Sequence, residues 1–136
     1  MKKVLVLCTG NSCRSQIAHG FLNYYTNDSV KIFSAGIEKH GVNMNAIKCM
    51  KEIGIDISTH TSNKIEEYLD IDFDFIITVC DNANETCPIF PNNSVKIHKN
   101  FKDPSKILNG KYGNHFISIR DEIKDFINKF VNKYLT

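Results

Sequence analysis

The chain has 136 residues, a formal net charge of +2 from 17 basic and 15 acidic side chains, and neither long charge runs nor low-complexity segments. That length suits one domain, residues 1–136, able to bury roughly two thirds of its unfolded surface. The charge balance argues against a nucleic-acid groove or a membrane-surface protein. Five cysteines is an odd number, and a chain able to build a core without staples is expected to keep them as free thiols in the reducing cytoplasm.

The first predicted element is a strand over Lys3–Cys8, a valine and leucine run of the kind covered on both faces of a sheet. Its apolar part, Val4 to Cys8, is shorter than the roughly 7–15 residues of a secretion-signal core, and no small-residue cleavage site follows. No later stretch approaches the ~18 apolar residues of a membrane span. From Ser12 to Tyr25 the apolar residues Ile17, Phe21, Leu22 and Tyr25 recur at helical spacing. Val30–Ser34 predicts a second strand that ends at Ala35-Gly36. Asn45–Ile53 places Ala46, Ile47, Met50 and Ile53 on one helical face, and Gly54 closes that helix. A short helix is expected over Asn63–Leu69, a central strand over Phe73–Cys80 and a fourth strand over Val95–His98. Asn114–Leu135 repeats apolar residues at three- and four-residue steps and predicts a long C-terminal helix. Strands alternating with helices predict an α/β fold, a parallel four-stranded sheet with helices on both faces, whose ligands bind beyond the strands' carboxyl ends.

Cys8 and Cys80 both fall at such ends. Between the first strand and helix, Gly10 and Asn11 tolerate the positive φ that turns successive N–H groups into a concave anion nest. The following helix adds its N-terminus, and Arg14 a planar bidentate donor suited to two oxygens of a tetrahedral oxyanion. Positive surroundings favour a thiolate, so nucleophile and cradle would be one loop. The nucleotide-binding pattern GxxxxGK[ST] does not occur. A bare Cys-x5-Arg is a loose pattern; the strand before it, the Gly-Asn turn within it and the helix after it give it meaning. A metal site is the competing reading for Cys80, Cys87 and His98. However, six residues separate the two cysteines, wider than the usual zinc pairs, and the other histidines are scattered. No metal and no cofactor are expected.

The segments CTGNSCRS, SAGIEKHGVN, DISTHTS, TVCDNANETCP and RDEIKDF resemble the thioredoxin-coupled arsenate reductases of the low-molecular-weight protein tyrosine phosphatase superfamily, over nearly the whole chain. The first motif fits phosphatases and reductases alike; Cys80 with Cys87 is the feature that resembles the reductases. The resemblance implies a low-molecular-weight phosphatase-like fold with Cys8 as nucleophile. It implies an oxyanion cradle from Thr9, Gly10, Asn11, Ser12, Cys13 and Arg14, with Asn11 and Ser15 shaping the loop and bonding the thiolate. It further implies Asp103 as general acid, Cys80 and Cys87 as relay thiols, arsenate as substrate and thioredoxin as reductant of a monomeric enzyme. Cys13 and Cys49 are expected to pack in the interior. A tyrosine phosphatase using Cys8, Arg14 and Asp103 is the alternative. Phosphatases of this kind usually carry tyrosine beside the Asp-Pro pair, where this chain has Ser105-Lys106. His19 and Asn63 stand where potassium-binding members carry acidic groups, which argues against potassium stimulation.

Overall fold

The structure is a computed structural model and describes residues 1–88, 90 and 93–135. Strands β1 (Lys2–Cys8), β2 (Val30–Gly36), β3 (Phe75–Thr78) and β4 (Val95–His98) form one parallel sheet in the order β2-β1-β3-β4. Helices α1 (Arg14–Tyr25), α2 (Met44–Lys51), α3 (Asp81–Thr86) and α4 (Asn114–Tyr134) lie between and after the strands. The segment expected as a short helix is a 3-10 turn at Ile65–Tyr68, and further 3-10 turns occupy Pro104–Lys106 and Leu108–Gly110.

Consecutive residues Val4 to Cys8 and Phe75 to Thr78 are all buried, so both faces of the central strands are covered. The registers say by what. Phe75 pairs with Val4, and its ring meets Phe130 and Tyr134 of α4. Phe33 pairs with Leu5, one residue out of phase, so it projects from the opposite face, against Tyr68 and Phe73. On that second face Thr78 reaches Asn84 of α3. Each fully buried Leu, Ile or Phe in this core contributes about 1.5–3 kcal/mol from removal of apolar surface from water.

Helix α2 opens on Asn43, whose side chain accepts from the N–H groups of Asn45 and Ala46. It closes near Gly54, at φ +81°, with Gly54 N–H bonded to the Lys51 carbonyl and Ile55 N–H to that of Met50. In the segment after Cys80, for which no element was predicted, Asp81–Thr86 is helical, while Ile89, Pro91 and Asn92 lie outside the described residues. No helix among the described residues is long and apolar enough to cross a membrane.

The chain leaves β1 for β2 on one side, and β3 adds on the other. The crevice beyond the carboxyl end of β1 is therefore the point where strand order reverses, the usual ligand position in an open α/β sheet.

Candidate active site

Cys8 is the last residue of β1 and Arg14 the first of α1, so residues 9–13 form the loop between them. Every carbonyl from Cys8 to Ser12 has an outward partner. Those of Cys8, Thr9 and Gly10 accept from the N–H groups of Ile37, Glu38 and His40; that of Asn11 accepts from Gln16 Nε2; that of Ser12 accepts from Asn43 N–H. The C=O and N–H of a trans peptide point in opposite directions, so the N–H groups of Thr9 to Cys13 turn away from this outer belt. The result is a nest of backbone donors facing a cavity of about 150 Å³. Asn11 makes the required turn at φ 48°, the left-handed region that asparagine tolerates.

Gly36 seats this loop. A Cβ there would overlap the Glu38 carbonyl oxygen and lie 2.6 Å from Asn11 N and 2.8 Å from Thr9 O, all backbone atoms that cannot swing aside. Gly36→Ala is expected to displace the loop and lower kcat/KM about 10²-fold, the scale of an ångström-sized misplacement. Normal kinetics with unchanged oxyanion binding in that variant would show that the loop adjusts freely.

The Cys8 thiol is buried, with its sulfur 2.9 Å from Ser15 Oγ. Ser15 Oγ accepts from Asn11 Nδ2 at 2.8 Å, which leaves the serine hydrogen to be directed at sulfur. Cys80 repeats the arrangement across the crevice: its sulfur lies 3.4 Å from Thr9 Oγ1, which accepts from Asn82 Nδ2 at 3.3 Å. Cys80 is also the N-cap of α3 and accepts from Ala83 N–H at 3.4 Å. Cys87 caps the other end of α3, half-buried, with its thiol directed at the Pro88 carbonyl at 3.5 Å. The two caps are about 10 Å apart along the axis at 1.5 Å per residue. Burial pushes the Cys87 thiol up from its ordinary range.

Arg14 donates Nη1–H to the Phe101 carbonyl at 3.0 Å and holds Nη2 3.6 Å from Asp103 Oδ2. The guanidinium expected to face an oxyanion thus spans the cavity wall toward the Asp103 loop. Asp103 fills the turn-initiating role open to an Asp-Pro pair, its Oδ1 accepting from Ser105 N–H and Oγ–H at 3.0 and 2.6 Å. Its second oxygen stays on the Arg14 side, and Asp103 lines the cavity together with Cys8 and Arg14.

Cys13 lies at the cavity wall as well as against the core, and Cys49 is fully buried. Burial, reinforced by the Asp103 charge, pushes Cys13 well up; burial pushes Cys49 to about 11. Both stay protonated near neutral pH. Sequence reading did not assign His40, Ser105 or Lys106 to the site, yet all three line the cavity. His40 lies so close over Gly10 that a Cβ on that glycine would strike its ring, and its Nε2 pairs with Glu38 at 2.6 Å. The SAGIEKHGVN motif that contains it was the available signal. Beneath the loop, His19 Nδ1 bonds Ser34 Oγ at 2.8 Å and its ring meets His60 at 4.4 Å. Burial holds His19 down to about 3, so the ring is neutral and brings no charge to this position.

Among the described residues no cluster of three or more His, Cys, Asp or Glu side chains could hold a metal ion. Residues 3–135 match the low molecular weight phosphotyrosine protein phosphatase family. The chain is 49% identical to arsenate reductase 1 of Staphylococcus epidermidis over 90% of each chain. A solved arsenate reductase in its phosphate-binding state superposes with a TM-score of 0.81 at 31% identity, covering 98% of each chain. A thioredoxin-dependent arsenate reductase of Corynebacterium glutamicum shares the fold, with a TM-score of 0.79 at 24% identity over 98% of this chain and 61% of that one. With a Cys8 loop at the switch point of a parallel sheet, the match over residues 3–135 and the 49% identity over 90% of each chain establish that this chain belongs to the low-molecular-weight phosphotyrosine protein phosphatase family, in the company of its arsenate reductases.

Proposed function

We propose that this protein, working as a monomeric single-domain enzyme of residues 1–136 in the reducing cytoplasm, reduces arsenate to arsenite through Cys8, Cys80 and Cys87 and is regenerated by thioredoxin. The observation that carries this reading is the placement of a second buried thiol, Cys80, beside the nucleophile loop through Thr9 Oγ1, at the start of a helix that ends on a third thiol. A phosphatase needs neither.

Arsenate has the tetrahedral shape and charge that the loop amides of Thr9 to Cys13 and Arg14 suit, and its arrival would draw the guanidinium from the Phe101 carbonyl to the substrate oxygens. Cys8 attacks arsenic as the thiolate, supported by the Ser15 donor. One arsenate oxygen leaves as water, with Asp103 supplying a proton. Cys80 then attacks Cys8 Sγ, the S–As bond breaks, and its electron pair remains on arsenic, which departs as As(III). A Cys8–Cys80 disulfide is left behind. Cys87 attacks Cys80, Cys8 leaves as thiolate, and the Cys80–Cys87 disulfide moves toward the half-exposed end of the segment, where a protein dithiol can reach it. Phosphorus has no corresponding two-electron exit. Cys8, Arg14 and Asp103 sharing one cavity also favours slow phosphoester hydrolysis as a second activity.

The test is arsenate-dependent NADPH oxidation, with thioredoxin and its reductase compared against glutathione and glutaredoxin. Turnover is expected with the first pair; turnover with the second alone overturns the assigned reductant, and turnover with neither overturns the reductase reading. In the same assay Asp103→Asn is expected to lose roughly 10²–10⁴-fold in kcat, the usual scale of general-acid catalysis, with little change in oxyanion affinity. A native rate across acidic and neutral pH would leave Asp103 as a turn residue only.

A further inference from the structure

We propose that Lys96 is a positioning residue for the relay, its ammonium group favouring the Cys87 thiolate that attacks the Cys8–Cys80 disulfide. This inference rests on the three-thiol reading above and adds the group that generates its last nucleophile.

The sheet register brings Lys96 to that thiol. Lys96 pairs with Ile76 and His98 with Thr78, so these four side chains share one sheet face. Thr78 bonds Asn84 across to α3, which identifies the face as the one beneath the Cys80–Cys87 helix. Where α3 ends, a cavity of about 130 Å³ opens, separate from the oxyanion cavity, and Cys87, Lys96, His98 and Asn84 line it.

Of the two basic residues here, His98 is committed. Its Nδ1 bonds Thr78 Oγ1 at 2.7 Å and its Nε2 bonds Asp81 Oδ1 at 2.7 Å, tying the first turn of α3 to β4. Lys96 has no carboxylate within ion-pairing distance among the described residues. An exposed lysine borne by a strand, without a carboxylate partner among the described residues and lining the same cavity as a thiol that must ionise, is placed as a counter-charge. The electrostatics agree: burial raises the Cys87 thiol, and the opposing influence that lowers it comes from Lys96.

The two influences act at different moments. Cys87 cannot reach Cys80 across about 10 Å of intact helix, so α3 must unwind first. A six-residue helix with Ala83 as its buried residue is held by its caps and by polar tethers to Thr9, Thr78, His98 and Asn100 and has almost no apolar packing to resist unwinding. Unwinding returns Cys87 toward water and removes the burial that kept it protonated. Lys96 stays on β4, and its flexible four-carbon stem lets the ammonium follow the sulfur. The thiol is thus stored unreactive and ionises when the relay needs it. In the step itself Cys87 gives its proton to solvent and the thiolate attacks Cys80 Sγ. The Cys8–Cys80 bond breaks with Cys8 leaving as thiolate, so one S–S bond replaces another without net oxidation.

The experiment uses the full chain with Lys96→Gln and Lys96→Arg, one equivalent of arsenate, acid quenching and disulfide mapping by mass spectrometry from pH 6 to 9. Lys96→Gln is expected to release arsenite as the native enzyme does. It should form Cys80–Cys87 about 3–10-fold more slowly near pH 7, with the rate's pH midpoint moved upward, and Lys96→Arg should restore both. In native enzyme, raising salt should move the midpoint the same way. A native rate and midpoint in Lys96→Gln overturns the role of Lys96 and leaves the relay standing. Slowing by one constant factor at every pH also overturns it, because lost packing, not charge, would then be the cause. Absence of any Cys80–Cys87 bond in the native enzyme overturns the relay itself.

Discussion

Cys8→Ser is expected to abolish arsenate reduction, lowering turnover on the order of 10⁶-fold, the scale reached when a covalent nucleophile is removed. The substitution changes one buried atom and leaves a hydroxyl able to keep the Ser15 contact, so the fold and the cradle should survive. The hydroxyl stays protonated in a site built for a thiolate, and its oxygen cannot form the disulfide that releases As(III). Two controls separate chemistry from folding: an unchanged circular dichroism melt, within a few degrees, and retained binding of phosphate or sulfate. Arsenate turnover above contaminant level in this variant would remove Cys8 from the mechanism. Any aryl-phosphate hydrolysis should vanish with it, since both reactions begin at the same sulfur.

Cys87→Ser should separate the steps after that first attack. The thiol sits at the far cap of α3, so in the proposed relay adduct formation and the attack of Cys80 on Cys8 should proceed without it. One arsenite per enzyme is expected, after which turnover with thioredoxin stalls by several orders of magnitude. Peptide mass spectrometry should find Cys8 joined to Cys80. That disulfide would lie between two residues each under 5% exposed, poorly reached by a protein reductant. Cys80→Ser should fail earlier, before a full equivalent of arsenite. Phosphoester hydrolysis should persist in both variants, because it needs the loop and a proton donor but neither relay thiol. Multiple thioredoxin-driven turnovers by Cys87→Ser would refute the three-thiol relay and leave Cys8–Cys80 as the bond reduced directly.

Much of this protein was legible in its sequence because the deciding interactions are local or periodic. Val4 to Leu7 and Phe75 to Ile77 carry unbroken apolar runs because both faces of a central parallel strand are buried. The fourth strand is found at Val95–His98 and the last helix at Asn114–Tyr134, within a residue of the reading from pattern alone. The loop from Cys8 to Arg14 was readable for the same reason: Asn11, a strand before and a helix after are neighbours in the chain, although Gly10, expected to share the positive φ, does not adopt it and instead leaves room for the His40 ring. What the sequence did not display depends on groups far apart along it. Helix α3 has no apolar stripe; it is held by the Cys80 cap and by polar bonds to distant groups, among them Thr9 to Asn82 and His98, 17 residues away, to Asp81. Arg14 meets the Phe101 carbonyl 87 residues later, and four of the five outward partners that turn the loop N–H groups into a nest, those of Ile37, Glu38, His40 and Asn43, come from the segment after β2. His40 and Lys106 come to line the oxyanion-loop cavity, and Lys96 to share a second cavity with Cys87, only through sheet register and loop closure. Local chemistry determined which residues could act; the packing of distant segments decided which of them meet, because a side chain's partners are set by the whole fold and not by the spacing around it.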